Sequence, residues 1–295
     1  CSTCGYVAKC VNCDVSMTYH KTSDLLHCHY CGHSENTVNV CPACGLPHME
    51  SKGFGTERVE EELEILMPNL RIGRLDLDST KGKYGFDRII SAFDDHEYDV
   101  LIGTQMVAKG LDFGRVSLIG ILNADTIINF PEFRAYERAF SLFSQVAGRA
   151  GRRQNQGKVI IQTYTPKHRV IEQVVNHDYS GMFMQEVTER KNFAYPPFYR
   201  IIKIDVKHPD QQQTLDSAQK LANLLRASLG NRILGPEPPL VSRVRNHYIQ
   251  TITLKIERTN ISINKVKELI RTAILHFELD KHNAGVRTVI DVDPY

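Results

Sequence analysis

The sequence predicts an α/β protein made of a cysteine-rich module, a parallel-sheet domain and a smaller α+β domain. All eight cysteines lie within the first 44 of the 295 residues. From residue 46 to about 165, apolar runs of strand length alternate with helical periodicity, which is typical of a parallel sheet covered by helices. After Tyr195-Pro196-Pro197, strands and two longer helices follow a βα(β)βαβ order. We therefore expect domains at residues 1–45, 46–194 and 195–295.

The composition excludes several classes of protein. Hydrophobic residues make up 42% and charged residues 24%, which is typical of a globular chain and not of a disordered or fibrous one. No apolar run is long enough to cross a bilayer, so we expect no membrane association. The chain begins with Cys1 and carries no secretory signal, so we expect a cytoplasmic piece of a longer protein.

The cysteines carry the most specific signal. They form four C-x2-C pairs, and two residues between two thiolates allow one turn to present both sulfurs to a tetrahedral ion. Two pairs fill one closed site, so we predict two structural zinc ions per chain in preference to disulfides. The pairs are Cys1/Cys4, Cys10/Cys13, Cys28/Cys31 and Cys41/Cys44.

Two pairings of these cysteines are open at this stage. Adjacent pairs could form two sites in series, or the pairs could be nested. The gap from Cys13 to Cys28 resembles a ribbon loop and favours nesting. Histidines could replace a thiolate, but eight thiolates already fill two tetrahedra. Nesting gives an inner site of Cys10, Cys13, Cys28 and Cys31 and an outer site of Cys1, Cys4, Cys41 and Cys44. The histidines that could replace a thiolate are His20, His27, His29 and His33.

The predicted parallel-sheet domain contains two unusual segments. Thr56 is expected to cap its first helix, and Glu132–Ala147 is expected to form its third. The predicted strand Asp99–Gly103 runs into Thr104-Gln105, at the end of a strand where ligands bind in such folds. The third helix runs into an Arg- and Gly-rich segment, and the guanidinium groups of Arg149 and Arg152 suit phosphate oxygens.

These segments resemble a known family. The strings Gly103-Thr104-Gln105 … Lys109-Gly110-x-Asp112-Phe113 and Gln145-x-x-Gly148-Arg149-Ala150-Gly151-Arg152 look like motifs V and VI of superfamily 2 helicases. The cysteine pairs ahead of them, followed by Gly55-Thr56-Glu57-Arg58, are similar to the bacterial replication-restart helicases of that superfamily. The resemblance implies that residues 46–194 form the second RecA-like helicase lobe together with connecting helices.

The resemblance also implies roles for individual residues. In superfamily 2 motors ATP binds between two lobes, and motif VI arginines stabilise charge on the γ-phosphate. Motif V residues couple the nucleotide to DNA. The implied assignments are Arg149, Arg152 and Gln145 for catalysis, Gly110 and Asp112 for ATP binding, and Thr104 and Gln105 for contact with DNA.

No phosphate-binding loop of the form G-x-x-x-x-G-K-[ST] occurs in this sequence. The family carries that loop on a first lobe, so we expect this chain to be inactive alone and to use ATP and Mg²⁺ only in the full-length protein. We therefore expect the C-terminal part of an ATP-dependent DNA helicase that remodels stalled forks and loads the replicative helicase through the primosome. The alternative is a non-catalytic, zinc-stabilised module that binds DNA or protein.

The predicted C-terminal domain has the strand and helix order of a ferredoxin-like sandwich. Residues 199–295 carry 15 Lys and Arg residues against 10 Asp and Glu residues, which permits contact with nucleic acid. The resemblance implies forked or single-stranded DNA, the tail of single-strand-binding protein and other primosome proteins as partners. We expect the protein to be a monomer. The basic candidates for DNA contact are Arg243, Arg245, Lys255 and Arg258, with Tyr248 as a stacking candidate.

Overall fold

A computed structural model describes residues 1–20, 23–50, 55–76, 79–80, 84–108, 116–150, 157–259 and 261–294, without the side chains of Met106 and Ala108. The chain divides into two compact units. One unit joins Cys1–Ser51 to Arg190–Tyr295, and the other is Lys52–Glu189. Among the described residues, no helix combines the length and apolar character that a bilayer-spanning segment needs.

The cysteine-rich module contains a small antiparallel sheet. Its strands are β1 (Thr18–His20), β2 (Leu25–His27) and β3 (Ser34–Asn36), in the order β1-β2-β3. Its core consists of buried thiols together with Met17. So small an apolar core stabilises little by itself, which is the usual situation of a domain held by metal ions.

The unit Lys52–Glu189 contains two pairs of parallel strands. The first pair aligns Leu75 with Gly103, and the second aligns Ile121 with Ile161. The elements are α1 (Thr56–Leu66), β4 (Ile72–Leu75), α2 (Gly85–Asp94), β5 (Val100–Gly103), α3 (Gln105–Ala108), β6 (Leu118–Ile121), α4 (Asp125–Ile128), α5 (Ala135–Ala147), β7 (Lys158–Ile161), α6 (Arg169–Val175) and α7 (Tyr179–Asn192), whose last turn crosses into the other unit.

The core of this unit lies between α4, α5 and α6. Helix α5 buries Ala139, Phe140 and Phe143 at a spacing that places them on one face. The Arg169 guanidinium lies 4.3 Å from the centroid of the Tyr136 ring and pairs with Glu189, which joins α5, α6 and α7. These contacts fix the helix that ends at Ala147, just before Gly148 and Arg149.

The C-terminal part forms one antiparallel sheet with two helices. The strand order is β10-β11-β8-β12, with β9 also paired to β11, so the β9-β11-β8-β12 core has the ferredoxin-like arrangement that the sequence predicts. Buried aliphatic side chains of β8, β11, α8 and α9 form its core. The elements are β8 (Tyr199–His208), α8 (Gln211–Leu229), β9 (Ile233–Glu237), β10 (Arg243–Val244), β11 (His247–Glu257), α9 (Ile263–Leu279) and β12 (Arg287–Val292).

Two local predictions are wrong. Gly55 and not Thr56 occupies the cap position of α1, and the Thr56 hydroxyl donates a hydrogen bond to Oδ2 of Asp76 at 2.5 Å. The third helix begins at Ala135 and not at Glu132. Glu132 lies before the helix, where its carboxylate pairs with Arg138 at 2.8 Å.

Candidate functional sites

The eight cysteines form two clusters of four. Cys10, Cys13, Cys28 and Cys31 form the inner cluster, and Cys1, Cys4, Cys41 and Cys44 form the outer cluster. This is the nested arrangement. Within each cluster all sulfurs lie within 4.8 Å of one another.

The spacing of the sulfurs is compatible with zinc. Cys10 and Cys31 are 3.6 Å apart at their sulfurs, Cys4 and Cys41 are 3.6 Å apart, and Cys1 and Cys44 are 3.7 Å apart. Four sulfurs bound tetrahedrally at about 2.3 Å from a zinc ion would be separated by about 3.8 Å. The two clusters therefore match a closed four-sulfur site in both number and distance.

The inner cluster is the more buried of the two. Cys13 is fully buried, and this burial raises the pKa of its thiol to about 12, although the backbone N–H of Arg245 acts in the opposite direction. The backbone N–H of His33 lowers the pKa of the Cys31 thiol to about 7. A hydrogen bond to sulfur favours the thiolate, which is the form that binds a metal ion.

The four histidines of the module do not belong to either cluster among the described residues. His20 and His29 approach each other, with 3.4 Å between their Nε2 atoms. His27 lies 2.6 Å from the Ser34 hydroxyl at Nδ1, and His33 lies 3.8 Å from Glu35. These polar contacts engage the histidines and leave the two sets of four thiols complete.

Thr104 and Gln105 lie at the carboxyl end of β5. Both are exposed, and Gln105 begins the short helix α3. This edge of a parallel sheet is where α/β proteins bind their ligands. Gly110 and Asp112, which the resemblance assigns to the same motif, lie outside the described residues.

Gln145 and Arg149 lie at the C-terminal end of α5. Gln145 is exposed in the last turns of the helix, and Arg149 follows Gly148, the residue that caps it. The backbone N–H of Arg149 donates to the carbonyl oxygen of Val146 at 3.1 Å, so the chain continues in a helical turn. Arg152 lies outside the described residues.

Asp125 links by hydrogen bonds the two loops that follow β6 and β7. It accepts hydrogen bonds from the Thr163 hydroxyl at 3.0 Å, the Tyr164 N–H at 3.0 Å and the Thr165 hydroxyl at 3.1 Å. The Tyr164 N–H contributes most to lowering the pKa of the Asp125 carboxyl. With these donors in place, the carboxylate has a structural role in shaping the loops after β6 and β7.

The basic candidates of the C-terminal domain have different surroundings. Arg245 and Arg258 are exposed, whereas the Arg243 guanidinium lies 5.9 Å from the centroid of the Tyr248 ring. Lys255 donates to the carbonyl oxygen of Phe193 at 2.7 Å, and burial lowers its pKa. Its ammonium group is therefore already engaged within its own unit.

A cavity of about 430 Å³ lies beside Arg243 and Tyr248. Asp14 of the cysteine-rich module and Gln250 of β11 also line it. The side-chain Oε1 of Gln250 is buried and has no hydrogen-bond partner within the part of the chain that the structure describes. The cavity thus combines a cation, an aromatic ring and an open acceptor.

Sequence reasoning missed the residues that connect the inner cluster to the C-terminal domain. The N–H of Arg245 donates to Sγ of Cys13 at 3.3 Å, and Asn246 bonds to Asn12. The one available signal is at Asp14. Glycine follows the second cysteine of the other three pairs, and aspartate stands in its place here.

Three family models match successive parts of the chain. The PriA DNA helicase Cys-rich region (CRR) domain matches residues 10–35. The Helicase conserved C-terminal domain matches residues 54–154, and the Primosomal protein N C-terminal domain matches residues 191–295. Their order agrees with the order of the cysteine clusters, the parallel strand pairs and the antiparallel sheet.

Curated relatives match over the full length of the chain. The Replication restart protein PriA of Bacillus subtilis (strain 168) is 40% identical over 297 residues, and that of Synechocystis is 37% identical over 303 residues. The corresponding protein of Thermotoga maritima is 33% identical over 294 residues. The chain spans 36%, 35% and 38% of these three proteins, respectively.

Proposed function

Because the chain belongs to the PriA family of replication restart proteins, we propose that it is the C-terminal part of an ATP-dependent DNA helicase. The complete protein remodels stalled forks and loads the replicative helicase through the primosome. The observation that carries this proposal is the match of residues 54–154 to the helicase C-terminal domain, across parallel strands whose carboxyl ends expose Thr104 and Gln105.

Each cysteine cluster holds one zinc ion in this proposal. The sulfur separations of 3.6 and 3.7 Å support the assignment because they are close to the value for tetrahedral zinc. Four thiolates leave no open ligand position, so both ions stabilise structure and activate no water. Metal analysis of the purified chain should return two equivalents of zinc, and cysteines found as disulfides would contradict the assignment.

Arg149 acts on the γ-phosphate of ATP held by a first lobe. Arg149 follows helix α5, which is anchored in the core by the buried Phe140 and Phe143. This packing fixes the direction in which the chain leaves the helix. Gln145 lies on the same helix end and orients the nucleotide or the attacking water. Arg152, Gly110 and Asp112 have the roles that the motifs imply, and these roles remain predictions.

The ATPase role has a direct test. The chain alone should hydrolyse no ATP, and a longer protein with the first lobe should show DNA-stimulated turnover. In that protein Arg149→Ala should lower kcat by roughly 10³-fold. Arg138→Ala on the same helix is the control, because Arg138 pairs with Glu132 before the helix. Equal turnover of the two variants would refute the role of Arg149.

The C-terminal domain binds the DNA backbone through two arginines near the β10–β11 turn, of which Arg245 is exposed and Arg243 is half-buried. Arg243 and Arg245 meet phosphates, and Tyr248 offers its ring beside the cavity to a base of a single strand. Thr104 and Gln105 contact the backbone from the helicase lobe. Single-strand-binding protein and primosome proteins are the protein partners of this proposal, and the chain acts as a monomer in the cytoplasm.

DNA binding is tested by fluorescence anisotropy with single-stranded DNA over a salt series. Arg245→Ala should weaken binding and reduce the slope of log K against log salt by about 1, as expected for one lost phosphate contact. Arg287→Ala is the control, because Arg287 is an exposed arginine on β12, at the opposite edge of the sheet. A slope of log K against log salt near zero for the unsubstituted chain would contradict binding through phosphate contacts.

The second candidate function is a non-catalytic module that binds DNA or protein. The extensive contact between the inner cluster and the C-terminal domain favours it for the isolated chain, because both parts belong to one compact unit. Binding of DNA by the chain together with an inactive full-length protein would support this candidate.

A further inference from the structure

Three of the four cysteine turns close in the same way. Glycine follows the second cysteine of the pair, adopts a φ of 72° to 81°, and donates its N–H to the carbonyl oxygen of the first cysteine. A side chain at such a φ would be strained. The hydrogen bonds are Gly5 to Cys1 at 3.0 Å, Gly32 to Cys28 at 2.9 Å and Gly45 to Cys41 at 2.8 Å.

The turn of Cys10 and Cys13 is closed by a different part of the chain. Asp14 stands where the other turns have glycine, and its N–H donates to the carbonyl oxygen of Arg243 at 2.8 Å. The Sγ of Cys13 accepts from the N–H of Arg245 at 3.3 Å. In the Cys28 turn, by contrast, the Sγ of the second cysteine accepts from an N–H only two residues further along.

Further contacts hold the turn of β10 and β11 against this cysteine turn. The N–H of Asn246 donates to the carbonyl oxygen of Asn12 at 2.8 Å, and the two side-chain amides bond at 3.0 Å. The Ser242 hydroxyl donates to Asp14 at 2.9 Å. Val244 packs against the buried thiols of the inner cluster.

We infer that the β10–β11 turn is a structural component of the inner metal site, so that metal binding there and seating of the C-terminal domain stabilise each other. This inference rests on the proposed zinc site. A metal-bound thiolate is a stronger acceptor for the Arg245 N–H than a neutral thiol. The coupling is reciprocal: the free energy by which the β10–β11 turn strengthens metal binding equals the free energy by which the metal strengthens attachment of that turn.

The outer cluster provides an internal comparison. Both of its turns close with a glycine, Gly5 and Gly45, whose N–H donates to the carbonyl oxygen of the first cysteine of the same pair. These contacts stay within the cysteine-rich module. Loss of the outer ion should therefore leave the β10–β11 turn in place, whereas loss of the inner ion should release it.

The first experiment detects the hydrogen bond itself. The chain is loaded with ¹¹³Cd in place of zinc, and scalar coupling from the metal to amide protons is recorded by NMR. Coupling to the Arg245 amide through Cys13 is expected, and coupling to the His33 amide through Cys31 is the internal positive control. A signal at His33 with none at Arg245 would overturn the inference.

The second experiment measures release of zinc to a colorimetric chelator. Val244→Asp should weaken affinity of the inner site for zinc by about 10–100-fold, the range for partners that support metal ligands. The matched control is Leu240→Asp, because Leu240 lies four residues before Val244 and is 77% exposed. Equal release of zinc from both variants at equilibrium with the chelator would contradict the coupling. A chain that never holds two zinc ions would instead refute the proposed metal sites, and the cadmium measurement decides the matter if Val244→Asp fails to fold.

Discussion

Replacement of Gly103 by alanine should strain the strand that leads into Thr104 and Gln105. A Cβ at this position would overlap Cγ2 of Val107 and lie 2.7 Å from the carbonyl oxygen of Leu75. The valine side chain can move, but the Leu75 oxygen belongs to the backbone of the neighbouring strand β4. We therefore expect the two strands to separate locally.

The expected cost is that of forcing one extra carbon into a packed site, about 1–3 kcal/mol. For a domain of this size that corresponds to a fall in melting temperature of roughly 2–4 °C per kcal/mol. The assay is a thermal melt combined with hydrogen exchange of the β4 and β5 amides, which reports on this strand pair directly.

Gly120→Ala is the matched control. Gly120 also lies in a four-residue parallel strand, but apart from its chain neighbours no atom of the described residues lies within 4 Å of the Cβ position. The double variant Gly103→Ala/Val107→Ala should recover only part of the loss, because the overlap with the Leu75 oxygen remains. Equal stability and exchange for Gly103→Ala and Gly120→Ala would refute the packing argument.

The remaining predictions concern single side chains. Phe143→Ala should destabilise its unit by about 3–5 kcal/mol, measured by denaturant unfolding, because Phe143 is fully buried. Asn283→Ala should cost about 1–3 kcal/mol by the same measurement, since the buried Asn283 accepts from the Ser217 hydroxyl at 3.2 Å. Hydrogen bonds from Arg71 lower the Asp99 pKa to about 2 in the folded chain, from an ordinary value of 3.8. The ionised Asp99 should therefore stabilise the fold above pH 3.8, and this stabilisation should be lost as the pH falls toward 2. A carboxyl NMR titration with its midpoint near 3.8 would contradict this assignment.

Much of the architecture follows from local patterns. The C-x2-C pairs predict the cysteine turns, and short apolar runs bounded by turn residues predict the strands of the two parallel pairs. The positions of Gly5, Gly32 and Gly45 after their cysteines also have a direct cause, since each adopts a positive φ.

Other features depend on contacts that leave no pattern in the sequence. Thr56 has the chemistry of a helix cap, but a buried carboxylate at Asp76 competes for its hydroxyl. Burial would raise the Asp76 pKa, and hydrogen bonds from Thr56 and Ser79 and the charge of Arg74 outweigh it and lower the pKa. The contact of Arg245 with Cys13 uses a backbone N–H, which every residue except proline carries.

The closure of the Cys10 turn also sets an order of events during synthesis. Residues 12–14 and 242–246 are separated by 228 to 234 positions along the chain. At roughly 5–20 residues per second, the ribosome needs on the order of tens of seconds to make the intervening segment. During that interval the cysteine turn that lacks glycine has neither its Arg243 acceptor nor its Arg245 donor. The contacts that close the Cys10 turn can consequently form only after the β10–β11 turn has been translated.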